Sequence, residues 1–235
     1  MAGSTDVGVD LPVVHSEVLA WAFYDFANSG YTTVVLTTIY SAFFVAAIAG
    51  GLAETSPGLP TLLWTISVAL ANFFVLLSAP VIGAIADYRA CKKRFLAVST
   101  VVCVLGTALL GFAAPGDVTL AMALVVLSAI AFASGENLIA AFLPEIARGD
   151  NMGRVSGYGW AIGTAGGVVC LLLILPLIVL IGGTFIVRLS LVITAVFFAV
   201  AAVPLFLWLR ERAEAKELPS GENYLTVALK QRWRT

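Results

Sequence analysis

The sequence predicts an all-α polytopic membrane protein, a bundle of six transmembrane helices, on three observations. Of its 235 residues, 60% are hydrophobic and 11% are charged, whereas an ordinary soluble domain is about 45–50% apolar and about 25% charged. Apolar stretches of the roughly 20 residues needed to cross a bilayer recur six times. The basic residues collect in alternate loops.

The chain begins with a short acidic leader, residues 1–17, that holds no Lys or Arg. The basic start of a cleavable signal is therefore missing, and the first span is expected to stay in the mature protein. Six spans follow within 18–209: Val18–Gly50, Thr61–Ala86, Phe95–Ala114, Val118–Pro144, Val155–Ile181 and Thr184–Leu209. The breaks read "AETSPGLP", "DYRACKKR", "APGD", "PEIARGDNMGR" and "GGT". Pro80, Pro144, Pro176 and Pro204 sit near or inside spans, where they can kink a helix. Residues 210–235 are a charged tail or a linker. In it "NYLTVALKQRW" reads as an amphipathic segment, and Lys230, Arg232 and Arg234 as a contact to the membrane surface rather than to nucleic acid.

Orientation follows from the basic residues, which mark cytoplasmic loops. With six spans, one side collects twelve: Arg89, Lys92, Lys93, Arg94, Arg148, Arg154, Arg210, Arg212, Lys216, Lys230, Arg232 and Arg234. The other side has only Arg188. Both termini are therefore expected in the cytoplasm, and the protein in the plasma (inner) membrane.

Several function classes are disfavoured. Cys91 lies in a loop and Cys103 and Cys170 in spans, with no CxxC pair and no metal-ligand cluster. No GxxxxGK[ST] run signals nucleotide binding. An intramembrane serine protease needs a membrane histidine to activate its serine, and the one histidine, His15, precedes the first span. No enzymatic activity, cofactor or metal is expected.

The polar residues inside the spans carry the functional signal. At about 100° per residue, Trp21, Asp25, Asn28, Ser29 and Thr32 fall in one stripe of span 1, flanked by Tyr24 and Tyr31. Span 4 carries Glu136 and Asn137, with Ala129, Ala133 and Ala140 leaving room beside Glu136. Ionisable residues within the bilayer are costly and mark pathways and binding sites. Asp25, Asn28, Tyr31, Glu136 and Asn137 are therefore the candidate substrate- and ion-binding residues, expected to share a polar cavity. A carboxylate there can carry a coupling proton or bind a substrate amine; the other reading is that Asp25 and Glu136 only tie helices together. In span 5, Gly159, Gly163 and Gly167 recur every fourth residue and make a face suited to close packing or to sliding.

The loop after span 2 reads "GAIADYRACKKRFLAV". It resembles the signature loop of the major facilitator superfamily, G-x-[LI]-x-D-[RY]-x-G-[RK]-[RK]-[RK]. The likeness rests on Gly83, Ile85, Asp87, Tyr88, Lys92, Lys93 and Arg94. It departs at Ala90, where the pattern has Gly, and at Cys91, where it has a basic residue. Gly83 is expected to let the end of span 2 approach another helix. Three further stretches, "WAFYDFANSGYTTVV", "AAFLPEIA" and "GRVSGYGWAIGTAGG", resemble the "unknown major facilitator" family, itself similar to the vacuolar amino-acid effluxers of fungal autophagy. The resemblance covers about Trp21 to Trp208.

This resemblance implies a secondary transporter that moves a small solute, amino acids among them, by alternating access, with the lipid bilayer, the solute and a coupling proton as partners. Gly83, Asp87, Lys92, Lys93, Arg94, Glu145 and Arg154 would form a gating set, with Glu145 and Arg154 joining Asp87 and Lys93 in a charge network. A channel or a non-transporting assembly protein is the alternative. Such transporters have twelve spans in two halves. Six spans therefore match an N-terminal half that is a fragment, a truncated product or a half that pairs with a second copy or another six-helix chain.

Overall fold

The computed structural model describes residues 15–147, 151–213 and 215. The leader up to residue 14, Arg148 and the tail from residue 216, with its amphipathic segment, lie outside the described residues. Among those described the protein is all-helical, and six helices are long and apolar enough to cross a membrane. They are span 1 (His15–Ile48), span 2 (Leu59–Arg89), span 3 (Lys92–Leu110), span 4 (Val118–Ile146), span 5 (Met152–Ile181) and span 6 (Gly183–Trp208). The helices overrun the apolar stretches at several ends, starting at His15 and Lys92 and ending at Arg89. Hydropathy marks what lies among lipid tails, whereas the backbone ladder continues into the polar layer until something stops it.

What stops it is visible at two turns. Span 2 ends at Ala90, which sits in the left-handed region (φ 48°, ψ 53°) while its N–H bonds the carbonyl of Ala86. An L-residue there costs roughly 1–2 kcal/mol. The superfamily pattern has Gly at this position, and the backbone explains why. Replacing Ala90 by glycine is expected to raise stability by up to about 1 kcal/mol after glycine's extra unfolded-state entropy is subtracted; a thermal midpoint no higher than wild type would refute the strain. Between spans 5 and 6 the chain turns on Gly182 (φ 69°) and Gly183 (φ 84°), both positive. Pro80, Pro176 and Pro204 lie inside unbroken helices, and Pro144 lies in the short last helix of span 4, Leu143–Ile146.

The packing has an internal symmetry. Span 1 packs chiefly on spans 5 and 6, span 4 chiefly on spans 2 and 3, and spans 3 and 6 on each other. Exchanging spans 1, 2 and 3 for 4, 5 and 6 turns the pairings of span 1 into those of span 4 and leaves the pairing of spans 3 and 6 unchanged. Because successive spans run in opposite directions, that exchange relates two three-helix units of inverted topology, as in each six-span half of a major facilitator.

Span 1 is the hub, and its polar groups cross-link the bundle. The Trp21 indole N–H donates to the Ile139 carbonyl (2.9 Å), Tyr24 O–H to Thr100 Oγ1 (2.8 Å) and Tyr31 O–H to Ser128 Oγ (2.9 Å). Lipid offers no hydrophobic drive for helices to associate, so such bonds and close packing hold the bundle together. The glycine face of span 5 supplies the close packing. A Cβ at Gly159 would meet the Trp21 ring, one at Gly163 the Asp25 carboxylate, and one at Gly166 the backbone of Phe26. Past Tyr31, span 1 widens into π-helical turns at Thr32–Thr38 and Phe44–Ile48. There the Thr37 hydroxyl bonds the carbonyls of Thr32 and Thr33 (3.0 Å each), and Thr38 bonds that of Thr33.

At the end away from the basic loops, Arg188 donates to the carbonyls of Gly111 (2.8 Å) and Phe112 (2.9 Å). The one arginine expected on that side thus caps span 3, whose last carbonyls have no partner within the helix.

Candidate functional site

Asp25 and Asn28 stand one turn apart on span 1, and the packing of span 1 between spans 4 and 5 decides where each points. Asn28 is buried (2% exposed), and its Nδ2 donates to Glu136 Oε1 of span 4 at 2.7 Å. Asn28 Oδ1 is buried with no hydrogen-bond partner. Asp25 lies against Gly163 of span 5, where a larger residue would collide with its carboxylate. Both carboxylates open into a cavity of about 430 Å³ between spans 1, 4 and 5. Ser29, Thr32 and Thr33 supply hydroxyls from span 1, and Trp160 and Thr164 line the wall from span 5. The chemistry is acceptor-rich: two carboxylates and three hydroxyls from span 1, with no basic side chain among the described lining residues. It suits a proton or a cationic hydrogen-bond donor such as an ammonium group.

The structure divides the five candidate binding residues. Asp25 and Glu136 line the cavity, and Asn28 holds Glu136 from behind. Tyr31 is fully buried, stacked on Phe132 at 5.0 Å and bonded to Ser128. Asn137, one residue and about 100° beyond Glu136, opens into a separate cavity of about 230 Å³ shared with Gly83, Asp87, Lys92 and Ser134. Sequence reasoning missed Trp160 and Thr164. Their signal was present, since Trp160, Thr164, Val168 and Leu171 recur at helical spacing beside the glycine face.

A charge cluster organises the basic end. Lys92 Nζ lies 3.0 Å from Asp87 Oδ1 and 3.0 Å from Glu145 Oε1. Glu145 Oε2 accepts the backbone N–H of Arg212 (3.1 Å), and the Arg212 guanidinium pairs with buried Glu17 at 2.6 Å. Glu211 accepts the backbone N–H groups of Lys92 (2.6 Å) and Lys93 (3.2 Å), capping the start of span 3. Asp87, Lys92 and Glu145 therefore meet, joined by Glu17, Glu211 and Arg212, which sequence reasoning did not single out. Lys93 takes another place, donating to the Leu209 carbonyl at 2.6 Å. Arg154 is exposed and faces Tyr158, with Nη2 3.2 Å from its hydroxyl and the guanidinium 5.6 Å from the ring centre, and the structure does not bring it to Asp87. Arg94 is exposed. Gly83 faces the 230 Å³ cavity, with nothing within 4 Å of where its Cβ would stand, and not a neighbouring helix. The Cys91 thiol is pushed above its ordinary pKa by desolvation and then by Glu211.

These features can be set beside known proteins. The family model described as "Vacuole effluxer Atg22 like" matches residues 61–154 and 150–235. An "Uncharacterized MFS-type transporter YxiO" of Bacillus subtilis (strain 168) is 28% identical over 207 residues, which is 85% of this chain and 48% of that protein. The chain thus spans about half the length of the curated relative it matches. No solved structure matches it. The family match covers well over half of the residues, from span 2 through span 6: the chain belongs to the vacuole effluxer Atg22-like family of major facilitator superfamily transporters.

Proposed function

We propose that the chain acts as the N-terminal six-span half of a secondary active transporter that exports a small amine-bearing solute, such as an amino acid, by alternating access. The observation that carries this reading is the meeting of Asp25 and Glu136 at one cavity with no basic side chain among its described lining residues. Such a site calls for a donor, either the ammonium of the solute or a coupling proton. The second half, on a longer chain, another chain or a second copy, is supported by the twofold length of the relative. It is supported too by apolar side chains exposed along spans 2 and 5, among them Leu70, Phe73, Leu77, Trp160 and Leu172. The distribution of basic residues supports both termini in the cytoplasm, with the protein placed in a plasma (inner) membrane.

The test is flux through proteoliposomes that hold the complete carrier. Saturable amino-acid movement that responds to an imposed pH gradient is expected. A conductance that does not saturate with solute would make the protein a channel, and no flux of any kind from correctly inserted protein would make it a non-transporting assembly partner.

A further inference from the structure

Beside the turn between spans 2 and 3 the bundle carries an open groove of about 610 Å³, separate from both cavities already described. Its lining includes Tyr88, Arg89, Cys91, Arg94, Phe95 and Val98. The left-handed turn at Ala90 places Arg89, the last residue of span 2, and Arg94, in the first turn of span 3, on the rim of one depression. Both guanidinium groups stand close enough to the Cys91 thiol between them for their charge to act on it. Below Arg94 runs a stripe of outward-facing side chains at helical spacing: Val98, Val101, Leu105, Leu109 and Phe112, each 50–68% exposed. A cationic rim thus leads without interruption into an apolar track along the length of span 3.

We propose that this groove binds a phospholipid with an anionic headgroup, its phosphate between Arg89 and Arg94 and an acyl chain along Val98, Val101 and Leu105. Guanidinium groups present paired N–H donors that match phosphate oxygens. Basic residues on the cytoplasmic side of a membrane meet the leaflet that carries anionic lipid. The apolar track selects a lipid over free phosphate, because only a lipid covers it. The site shares no residue with the carboxylate cavity, so it stands whatever solute the carrier moves.

The experiment is native mass spectrometry of the purified chain with chain-matched phosphatidylglycerol and phosphatidylcholine. Wild type is expected to retain phosphatidylglycerol preferentially. The Arg89→Gln/Arg94→Gln pair is expected to weaken that retention roughly 30-fold, about fivefold per arginine, and Arg94→Gln alone about fivefold. Both arginines are exposed, and monodisperse elution checks that each variant is folded. Arg154→Gln, a basic residue elsewhere on the same end, is expected to leave retention unchanged. Equal retention of the two lipids by wild type would overturn the proposal, as would wild-type retention by the folded double variant. An equal loss in Arg154→Gln would reduce the effect to diffuse attraction, and displacement of the lipid by inorganic phosphate would remove the role of the apolar track.

Discussion

Replacing Gly166 with alanine should pry span 1 from span 5 and leave little monodisperse protein. The added methyl would stand against the Phe26 carbonyl and Cα, which are backbone atoms of the facing helix. No rotamer change relieves such a clash; one helix must move. Overpacking a core usually costs about 1–3 kcal/mol, and a backbone clash belongs at or above the top of that range. Gly163→Ala, one turn away, meets the end of the Asp25 side chain. That carboxylate can swing aside, so this variant should fold with a smaller loss while displacing a cavity group. Gly157 has nothing within 4 Å of its Cβ position, and Gly157→Ala is the neutral control. Thermal midpoints from fluorescence-detected size exclusion would order the variants as Gly157→Ala near wild type, Gly163→Ala lower, and Gly166→Ala lowest or absent. A Gly166→Ala midpoint equal to wild type would mean that the seam is looser than the structure has it.

The glycine face was legible because it depends on one helix alone. Helical arithmetic puts Gly159, Gly163 and Gly167 in a row, and small residues in a row let another helix approach. The partner was not legible, since nothing local says that span 1 fills the seam. The polar stripe of span 1 shows the same limit. Its direction could be read from 100° per residue, but its division could not: Trp21 bonds a carbonyl of span 4, Asp25 rests on span 5, and Asn28 reaches back to Glu136. The separation of Asn137 from Glu136 was within reach of the same arithmetic, because adjacent residues on a helix never share a face.

The basic end was harder. Its aspartate and basic residues follow a spacing pattern, but which lysine meets Asp87 depends on the left-handed turn at Ala90. That turn hands Lys92 to Asp87 and Glu145 and sends Lys93 to the Leu209 carbonyl. Glu17 and Arg212 pair across 195 residues, and no periodicity connects them. Glu17 is buried and its charge is met by Arg212. Read along the chain, it is one more acid near an apolar run.

Neutralising the cavity carboxylates should uncouple the carrier. Asp25→Asn and Glu136→Gln keep shape, and the glutamine introduced by Glu136→Gln can still accept the Asn28 N–H through its amide oxygen. Each variant removes one of two carboxyl groups that line a cavity without a basic side chain among its described lining residues. A hydrogen bond to a charged group contributes about 1.5–3 kcal/mol, so affinity for an ammonium-bearing solute should fall roughly 10- to 100-fold in the variant whose carboxylate holds it. The carboxylate that carries the coupling proton should behave differently. Its neutral variant can no longer exchange the proton, so pH-driven accumulation should vanish while solute-for-solute exchange continues. The two readouts therefore assign the roles. A higher half-saturation with pH response intact marks the solute carboxylate, and lost pH response with exchange intact marks the proton carboxylate. Tyr31→Phe is the comparison for a merely structural residue, because its hydroxyl bonds Ser128 away from the cavity; it should lower stability and leave both readouts near wild type. If both carboxylate variants, in a complete and correctly inserted carrier, accumulate solute with unchanged affinity and unchanged pH dependence, then Asp25 and Glu136 only hold spans 1, 4 and 5 together. The transported solute would then have to be recognised elsewhere.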